Sequence, residues 1–242
     1  MYHTYKLFLL LSYFISGSIY TIDPLFKRVF TKIVMDKKQI IVVGGGGHAK
    51  CVAAVLLRLP QYEVIGFLDD SKDQTSLLGM PKLGRINPVE KNLTTKYLAL
   101  GVGHVGKTEV RNAIIGSYEK AGYSFETIIA PTVLSNFVAH IGKGVYIADG
   151  VILQPDVVIN DYAIISNIAC INHDCRVGRN THICPGVMIS GNVTIGEDSL
   201  LGTGSSVVHG VSIGSNCIVA AGQTVIKNLH DNENLSAFNL AK

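Results

Sequence analysis

The chain has few of the features that would assign it to a common class of protein. It has no tryptophan, and only 16% of its 242 residues are charged, with a formal net charge of +3. A domain that binds nucleic acid through its phosphates carries a stronger basic patch, so this composition indicates no such partner. The length allows two modest domains. Twenty-five glycines without any tryptophan are typical of a repeat with glycine at its corners.

Cysteines and long apolar runs are also scarce. The five cysteines are odd in number and form no C-x-x-C pair, which argues against a disulfide framework and favours a reducing, cytoplasmic compartment. The apolar stretch 7–15 has the outline of a signal-peptide core but is too short to cross a bilayer, which takes about 20 residues. Residues 1–34 are therefore predicted to be an N-terminal extension outside the fold. The alternative is a weak membrane-associating segment, and membrane contact is expected only if these residues are retained.

A six-residue repeat dominates the second half of the chain. From Ile141 to Val225 an aliphatic residue stands at every sixth position without interruption. This period fits neither a helix nor a simple strand and indicates units that stack on one another. Small or branched residues stand four places after most of these aliphatic residues, in a second register that can point into the same core. The residue directly after the aliphatic is often glycine, which we interpret as a corner that needs positive φ. The pattern predicts a three-sided parallel β-helix of about five coils, each of roughly 18 residues.

The preceding residues follow a different pattern, in which short apolar strands alternate with helices. Strands are predicted at 40–43, 64–68 and 97–100, with a helix after the first strand and another from 107 to 120. This alternation predicts a small Rossmann-like parallel sheet whose ligands bind at the carboxyl ends of the strands. Those ends carry the candidate substrate-binding residues, which are Gly46, Gly47, His48, Asp69, Asp70 and Gly101.

The glycine-rich loop at 44–47 has more than one reading. Its backbone can approach phosphate groups, and the following helix offers free N–H groups and the positive end of its dipole. As a dinucleotide fingerprint it is partial, because Ala49 takes the place of the third glycine. The loop is therefore consistent with a dinucleotide, with the diphosphate of a nucleotide sugar, or with a turn that only packs a helix on a sheet.

The candidate catalytic residues lie inside the repeat. His173 is followed directly by Asp174, and a second imidazole, His182, follows nine residues after the first. A neutral histidine can accept a proton from an attacking amine or hydroxyl, and a neighbouring carboxylate raises its basicity. Two alternatives stay open: exposed structural histidines, and a zinc site formed with Cys175 and Cys184. Zinc is disfavoured because these two thiols fall on different registers. Four further histidines have no such partner and are interpreted as surface residues: His104, His140, His209 and His230.

Three motifs occur together in this chain: GGGGHAK in the glycine loop, FLDD at the end of the second strand and NHDC inside the repeat. In this combination the sequence resembles the sugar O-/N-acyltransferases of the sialic acid O-acetyltransferase type. That family includes the UDP-4-amino-sugar N-acetyltransferases of bacillosamine synthesis. The resemblance extends from about Lys37 to Asn228.

The resemblance implies a fold, a reaction and a set of residues. It implies an α/β N-terminal domain followed by a left-handed parallel β-helix, a homotrimer with active sites between neighbouring prisms, acetyl-CoA as donor and no metal. Transfer is expected to be direct, without an acyl-enzyme. His173 matches the general base, Asp174 the acid that tunes it, and His182 the histidine near the acetyl group. Gly191 and Gly202 match turns that line the CoA groove, and the substrate-binding residues named above match the nucleotide-sugar site.

The chain departs from the family pattern at two places. Ser166 and Asn167 stand where relatives have Asn-Thr before the base, and residues 237–242 replace a Gly-Pro-Ala-Lys closing turn. A substrate contact at Ser166 and Asn167 is therefore not implied by the resemblance, and the tail near CoA is expected to differ from that of relatives.

The expected function is acetylation of the amino group of a UDP- or dTDP-linked 4-amino-sugar in surface glycan synthesis. The alternatives are O-acetylation of sialic acid or a related nonulosonate, a non-catalytic nucleotide-sugar-binding assembly module, and a β-helical carbonic anhydrase. The predicted domains are 35–130 for nucleotide-sugar binding, 131–230 for the β-helix and 231–242 for a tail.

Overall fold

The computed structural model of the protein describes residues 37–86 and 93–236. The extension predicted for residues 1–34 and the end of the tail, 237–242, lie outside these ranges. Within them, neither of the two helices has the length and apolar character that a membrane span requires.

The first part of the described chain is a six-stranded sheet with the strand order β3-β4-β2-β1-β5-β6. Its strands are parallel, except that β3 and β4 form an antiparallel hairpin. The elements are β1 Lys38–Val43, α1 Gly47–Leu56, β2 Tyr62–Leu68, β3 Ser76–Leu77, β4 Met80–Gly84, β5 Tyr97–Leu100, α2 Glu109–Lys120 and β6 Ser124–Phe125. This confirms the predicted small α/β sheet with its two helices.

The β3–β4 hairpin was not predicted from the sequence. Each strand is short, and the two residues that join them, Leu78 and Gly79, both have positive φ values of 47° and 82°. Two left-handed residues in succession are what a type I′ hairpin turn needs, and its strongest sequence signals are Asn-Gly and Asp-Gly. Leucine disfavours positive φ, so the Leu-Gly pair gave a weak turn signal.

The second part is a parallel β-helix whose coils place one strand on each of three faces. Face 1 contains β7 Ile128–Ile129, β10 Tyr146–Ile147, β13 Ile164–Ile165, β16 His182–Ile183, β19 Leu200–Leu201, β22 Ile218–Val219 and β24 Asn234–Leu235. Face 2 contains β8 Leu134–Ser135, β11 Ile152–Leu153, β14 Cys170–Ile171, β17 Met188–Ile189, β20 Ser206–Val207 and β23 Thr224–Val225. Face 3 contains β9 His140–Ile141, β12 Val158–Ile159, β15 Arg176–Val177, β18 Thr194–Ile195 and β21 Ser212–Ile213.

The coil set begins earlier than the repeat pattern indicated. Ile129 and Ser135 pair with Ile147 and Leu153 of the next coil, so the solenoid continues through the serine that interrupts the aliphatic register. The result is about six coils instead of five. The division of the chain at 35–130 and 131–230 stays a prediction, although β7 already pairs within the solenoid.

Both inward registers of the repeat are confirmed. The aliphatic residues from Ile147 to Val225 and the small residues four places later form one buried core along the axis of the prism. Because each coil contributes two inward residues per face, the core is narrow and continuous, and burial of these apolar side chains is the main stabilising contribution.

The interpretation of the corners was wrong in one respect. Positive φ does not occur at the residue directly after the aliphatic; it occurs two residues later, at every sixth position from Gly144 to Gly222. Aspartate and asparagine occupy many of these left-handed positions, as their conformational preferences allow. The residue after the aliphatic is small for another reason: a Cβ added at Gly178 or Gly196 would lie 2.4–2.5 Å from backbone atoms of the next coil.

The α/β sheet packs against face 1. Ile128, Tyr146 and Ile164, which point outward from this face, join one core with residues of α1 and the sheet, while Tyr162 joins a second core with α2. The outward residues of β7, β10 and β13 on face 1 are therefore buried. This packing places the loops at the carboxyl ends of β1 and β5 beside the outward residues of the solenoid.

Candidate active site

His173 and Asp174 lie at the corner between face 2 and face 3, two and three residues after the end of β14. The Asp174 backbone has a φ of 61°, and its N–H donates to the Pro155 carbonyl of the preceding coil at 3.1 Å, which fixes the corner. His173 Nδ1–H donates to Asp174 Oδ2 at 2.7 Å. Because this bond occupies Nδ1, the other ring nitrogen, Nε2, is left for a reacting group. Both side chains are more than half exposed, at 56% and 57%, so a substrate can reach them.

The next coil contributes Gly191 at the same corner. A Cβ added to this residue would lie 2.5 Å from both Nε2 and Cε1 of His173. Glycine therefore leaves room for the imidazole of His173 above this coil. Gly191 was predicted to line a CoA groove, and the structure places it in contact with the candidate base. That contact accounts for a glycine here whether or not a cofactor lies alongside.

His182 lies on face 1, away from the corner that carries His173. Its Nδ1–H donates to the His104 carbonyl at 2.9 Å, and its Nε2 lies 3.0 Å from Ser166 Oγ. Burial lowers the pKa of His182. We take the ring as neutral, with the proton on Nδ1, so that Nε2 accepts from the serine hydroxyl. In the described part of the chain no hydrogen bond or ring contact joins His182 to His173. A contact of His182 with the acetyl group stays a prediction. It would require Nε2 to give up its hydrogen bond with Ser166 Oγ and bind the acetyl group instead.

His104 is a buried residue that the sequence reading had placed on the surface, and that interpretation was wrong. Only 7% of it is exposed, because the loop after β5 folds onto face 1. Its Nε2 donates to the Asn180 carbonyl at 2.9 Å, and its Nδ1 accepts from the Gly106 N–H at 3.3 Å. Burial, with a smaller contribution from His182, lowers the pKa of His104 to about 4.

A buried arginine ties the same loop to the solenoid. Arg111, on α2, donates from Nε to Asn180 Oδ1 at 2.7 Å, from one terminal nitrogen to the Tyr162 carbonyl at 2.8 Å and from the other to the Val102 carbonyl. All three acceptors are neutral. Burial lowers the pKa of Arg111 to about 9. The guanidinium thus connects a helix, the loop after β5 and two corners of the β-helix.

Asn180 links this arginine to an acidic group. Its Nδ2 donates to Asp198 Oδ1 at 2.7 Å, while its Oδ1 accepts from Arg111. The Asp198 oxygen also accepts from Asn112 on α2 at 2.9 Å. Asparagine suits this position because its φ is 54° and its amide can donate and accept at once. Sequence reasoning missed these residues, and the available signal was that Asn180 stands at the position of the six-residue repeat where Asp, Asn and Gly recur.

The glycine loop forms the second candidate region. Gly46 is the residue before α1, and neither Gly46 nor Gly47 would place an added Cβ within 4 Å of another atom. The space over this helix N-terminus is therefore open, as an anion site requires. Gly44, with a φ of 111°, and Gly101 are glycines for a packing reason, because an added Cβ would approach neighbouring atoms to 2.8–2.9 Å.

The two aspartates after β2 have different environments. Asp69 accepts from the Gly45 N–H at 2.7 Å through Oδ2 and from the Ser71 N–H at 2.8 Å through Oδ1, so it holds the glycine loop in place. Asp70 is exposed and pairs with Arg85 at 3.2 Å. The structure thus brings Asp69 to the predicted loop and leaves Asp70 at its edge.

His48 lies one residue into α1 with its ring against face 1. The ring packs edge-on against Tyr146 at a centroid separation of 5.2 Å, and its Nε2 is buried without a hydrogen-bond partner. Burial, and to a smaller extent the charge of Arg111, lowers the pKa of His48 to about 3. The imidazole is therefore neutral and is part of the junction between the two parts of the molecule.

The remaining predicted positions do not converge on His173. Gly202 lies at the corner between face 1 and face 2, where an added Cβ would approach Ala221 N to 2.5 Å. Within residues 37–86 and 93–236, no group of three or more His, Cys, Asp or Glu side chains is arranged to hold a metal ion. Cys175 and Cys184 are both buried, and burial raises the pKa of each thiol.

A groove of about 520 Å³ lies at the third corner, between face 3 and face 1. It is lined by two arginines, Arg176 and Arg179, and by two acidic residues, Asp161 and Glu197. None of the predicted site residues lies in it.

Comparison with known proteins relates both parts of the chain to one class. Residues 39–118 match the family described as the PglD N-terminal domain, and residues 192–227 match the hexapeptide repeat of succinyl-transferase. The comparison with curated proteins found no match. The acetyltransferase domain of PglB from Neisseria gonorrhoeae FA1090 superposes with a TM-score of 0.76 at 30% identity, over 82% of this chain and 96% of that chain.

Two further structures carry ligands. The same PglB domain in complex with acetyl coenzyme A matches with a TM-score of 0.73 at 28% identity, over 82% of this chain and 95% of that chain. PerB from Caulobacter crescentus, in complex with CoA and GDP-perosamine, matches with a TM-score of 0.71 at 32% identity, over 80% of this chain and 91% of that chain.

The fold and the repeat define an acyltransferase with a left-handed β-helix, as expected from the sequence. The chain belongs to the bacillosamine-type family of sugar acetyltransferases, in which a PglD-type N-terminal domain precedes the hexapeptide repeats.

Proposed function

We propose that the protein transfers the acetyl group of acetyl-CoA to the amino group of a nucleotide-linked 4-amino-sugar, with UDP or dTDP as the nucleotide, in surface glycan synthesis. The observation that carries this proposal is the His173–Asp174 pair, an exposed imidazole with one nitrogen bonded to a carboxylate and the other free. The ligands of the two relatives, acetyl coenzyme A in one and CoA with GDP-perosamine in the other, support the donor and the acceptor class.

The geometry of the pair suits a general base. Asp174 keeps the proton of His173 on Nδ1 and stabilises the imidazolium that forms when Nε2 accepts a proton. The amine nitrogen of the sugar attacks the thioester carbonyl carbon, a C–N bond forms, and the amine proton passes to Nε2. The C–S bond then breaks and releases CoA as a thiolate, which takes up one proton to become the thiol. No covalent acyl-enzyme is needed, because a base beside the acceptor suffices for direct transfer.

The glycine loop is proposed to bind the nucleotide sugar. Gly46 and Gly47 leave the N-terminus of α1 open to the diphosphate, and Asp69 fixes the loop through the Gly45 N–H. His48, Asp70 and Gly101 are proposed to complete this region. His182, Gly191 and Gly202 are proposed to contact the donor.

A homotrimer is proposed because the outward side of face 2 is apolar. Four successive strands of this face present Leu134, Ile152, Cys170 and Met188, of which Leu134 and Met188 are more than half exposed. The adjoining corner residue Ile168 is 71% exposed. A contiguous apolar surface of this kind is typical of a protein–protein contact. Face 2 ends at the corner of His173, so a neighbouring subunit packed there would form one wall of the active site. Five free cysteines are consistent with a cytoplasmic enzyme.

Thiol release from acetyl-CoA tests the proposal. The purified protein is incubated with UDP- and dTDP-linked 4-amino-sugars and, separately, with CMP-sialic acid and sialic acid. We expect release with an amino-sugar, and a decrease in kcat of about 10²-fold or more for His173→Ala. His140→Gln, at an exposed histidine on face 3, serves as the control. Release only with sialic acid would replace the N-acetylation proposal by O-acetylation, and full turnover of His173→Ala would refute the base assignment.

A further inference from the structure

A second exposed imidazole faces the candidate base across one coil. His173, Gly191 and His209 each stand two residues after a strand of face 2, on three successive coils, and so share one corner. Neighbouring strands lie about 4.8 Å apart, so the backbones of the two histidines are separated by about 10 Å. Their rings lean toward each other to a centroid separation of 6.3 Å, with an interplanar angle of 45°. Nothing projects between them, because the intervening residue is glycine.

The separation of the two rings indicates that they act on a group between them and are not bonded to each other. Two imidazoles in a direct hydrogen bond would lie closer, because donor and acceptor nitrogens approach to about 3 Å. At 6.3 Å the gap leaves room for one reacting group that contacts both rings. Nδ1 of His173 is occupied by Asp174, and the free Nε2 edge lies over Gly191, on the side of His209. A reacting atom bound at Nε2 of His173 therefore lies within reach of His209.

We propose that His209 is a further catalytic residue, a general acid that donates a proton to the sulfur of the leaving CoA while His173 accepts the proton of the attacking amine. The inference rests on the proposed function of His173. In the step, the C–N bond forms, the C–S bond breaks, His173 gains one proton and His209 loses one. The total charge of the pair is unchanged, and transfer of a proton from His173 to His209 through a bridging water molecule restores both. An imidazole suits this exchange because it titrates near neutral pH.

Few other titratable groups surround the pair. On the coil of the base, Asp174 is bonded to His173, and the thiols of Cys170 and Cys175 are kept protonated because burial raises the pKa of each. On the coil beyond His209, Lys227 is exposed and follows β23, and on the coil before the base the exposed Asp156 stands at the same corner as Asp174. The two histidines are therefore the groups at this corner that are placed to exchange protons with each other.

The pH profile of turnover distinguishes an acid from a residue that only packs. In the wild-type enzyme, the need for one base and one acid is expected to give kcat a bell-shaped dependence on pH, with one rising and one falling limb. His209→Gln is expected to lower kcat by about 10²-fold and to abolish the falling limb while the rising limb stays. His140→Gln should leave both limbs and kcat unchanged. Because His209 is exposed, the thermal unfolding of His209→Gln should match that of the wild type.

A second variant keeps the test decisive. His209→Gly leaves space at the corner, so added imidazole is expected to restore turnover and the falling limb, which a structural role would not allow. Full turnover of His209→Gln, a falling limb that persists in it, or no rescue by imidazole would each overturn the proposal. The proposed function fails separately: in that case His173→Gln would keep the turnover and the rising limb of the wild type, whatever the His209 variants do.

Discussion

Replacing Gly191 with alanine should disable the base without unfolding the protein. The added Cβ would lie 2.5 Å from Nε2 and Cε1 of His173, whereas ordinary contacts begin at 3.4 Å. The ring must therefore move by about 1 Å, and a displacement of that size costs on the order of 10²-fold in rate. The φ of Gly191 is outside the left-handed region, so alanine causes no backbone strain there. Because the His173 ring is exposed, it can swing toward solvent at little cost in stability, about 1 kcal/mol.

The assay is thiol release from acetyl-CoA, with kcat and both KM values measured for Gly191→Ala. Gly116→Ala on α2, where an added Cβ meets nothing within 4 Å, is the matched control and should keep full activity. In the His173→Ala background, Gly191→Ala should have no further effect, because both changes act on one group. If the two losses multiply, or if only KM for acetyl-CoA rises, then Gly191 acts by lining the donor site and the reasoning is refuted.

Three further outcomes are expected. Gly47→Ala should raise KM for the nucleotide sugar several-fold and leave thermal stability intact, since an added Cβ enters only open space at the proposed diphosphate position; an unchanged KM would remove the loop from the site. Arg111→Met should lower the free energy of unfolding in urea by about 3 kcal/mol, because three buried acceptors lose their donor; a loss below about 1 kcal/mol would contradict this account of the junction. The free energy of unfolding should also fall as the pH decreases from about 6.5 toward 4, since unfolded histidines take up protons that His48 and His104, with pKa values lowered by burial to about 3 and about 4, do not. His104→Asn should flatten that decline, and an equal slope in both proteins would show that other groups cause it.

Much of the solenoid could be predicted because each coil repeats the same requirement. An inward aliphatic every six residues from Ile147 to Val225 specifies the strands, their burial and their stacking. The corners were harder to predict from the sequence, because two separate constraints, close approach of the next coil and a left-handed backbone, act at neighbouring positions. Close approach of the next coil requires glycine at positions such as Gly178, whereas the left-handed positions accept aspartate and asparagine, as at Asp174 and Asn180.

The candidate site shows a different limit of sequence reasoning. The pairing of His173 with Asp174 follows from adjacency, and the structure confirms that contact. The burial of His104 and the hydrogen bonds of His182 depend on which face of the prism the first domain covers. A signal for that face was present, since its outward positions on β7, β10 and β13 are Ile128, Tyr146 and Ile164. His209 was read as an isolated surface residue because its partner stands 36 positions earlier, a separation that becomes proximity only after two coils are closed.

The unbroken run of left-handed corners from Gly144 to Gly222 also limits how the length of this chain can change. An insertion or deletion of six residues between His173 and His209 would keep every inward side chain buried but would rotate all later residues by one face, so the two imidazoles would no longer share a corner. An insertion or deletion of eighteen residues, one whole coil, would keep each later residue on its face and change only its distance along the axis of the β-helix. Natural variants and engineered chimaeras of this β-helix should therefore differ by whole coils outside that segment, and the spacing between the two histidines should tolerate no change.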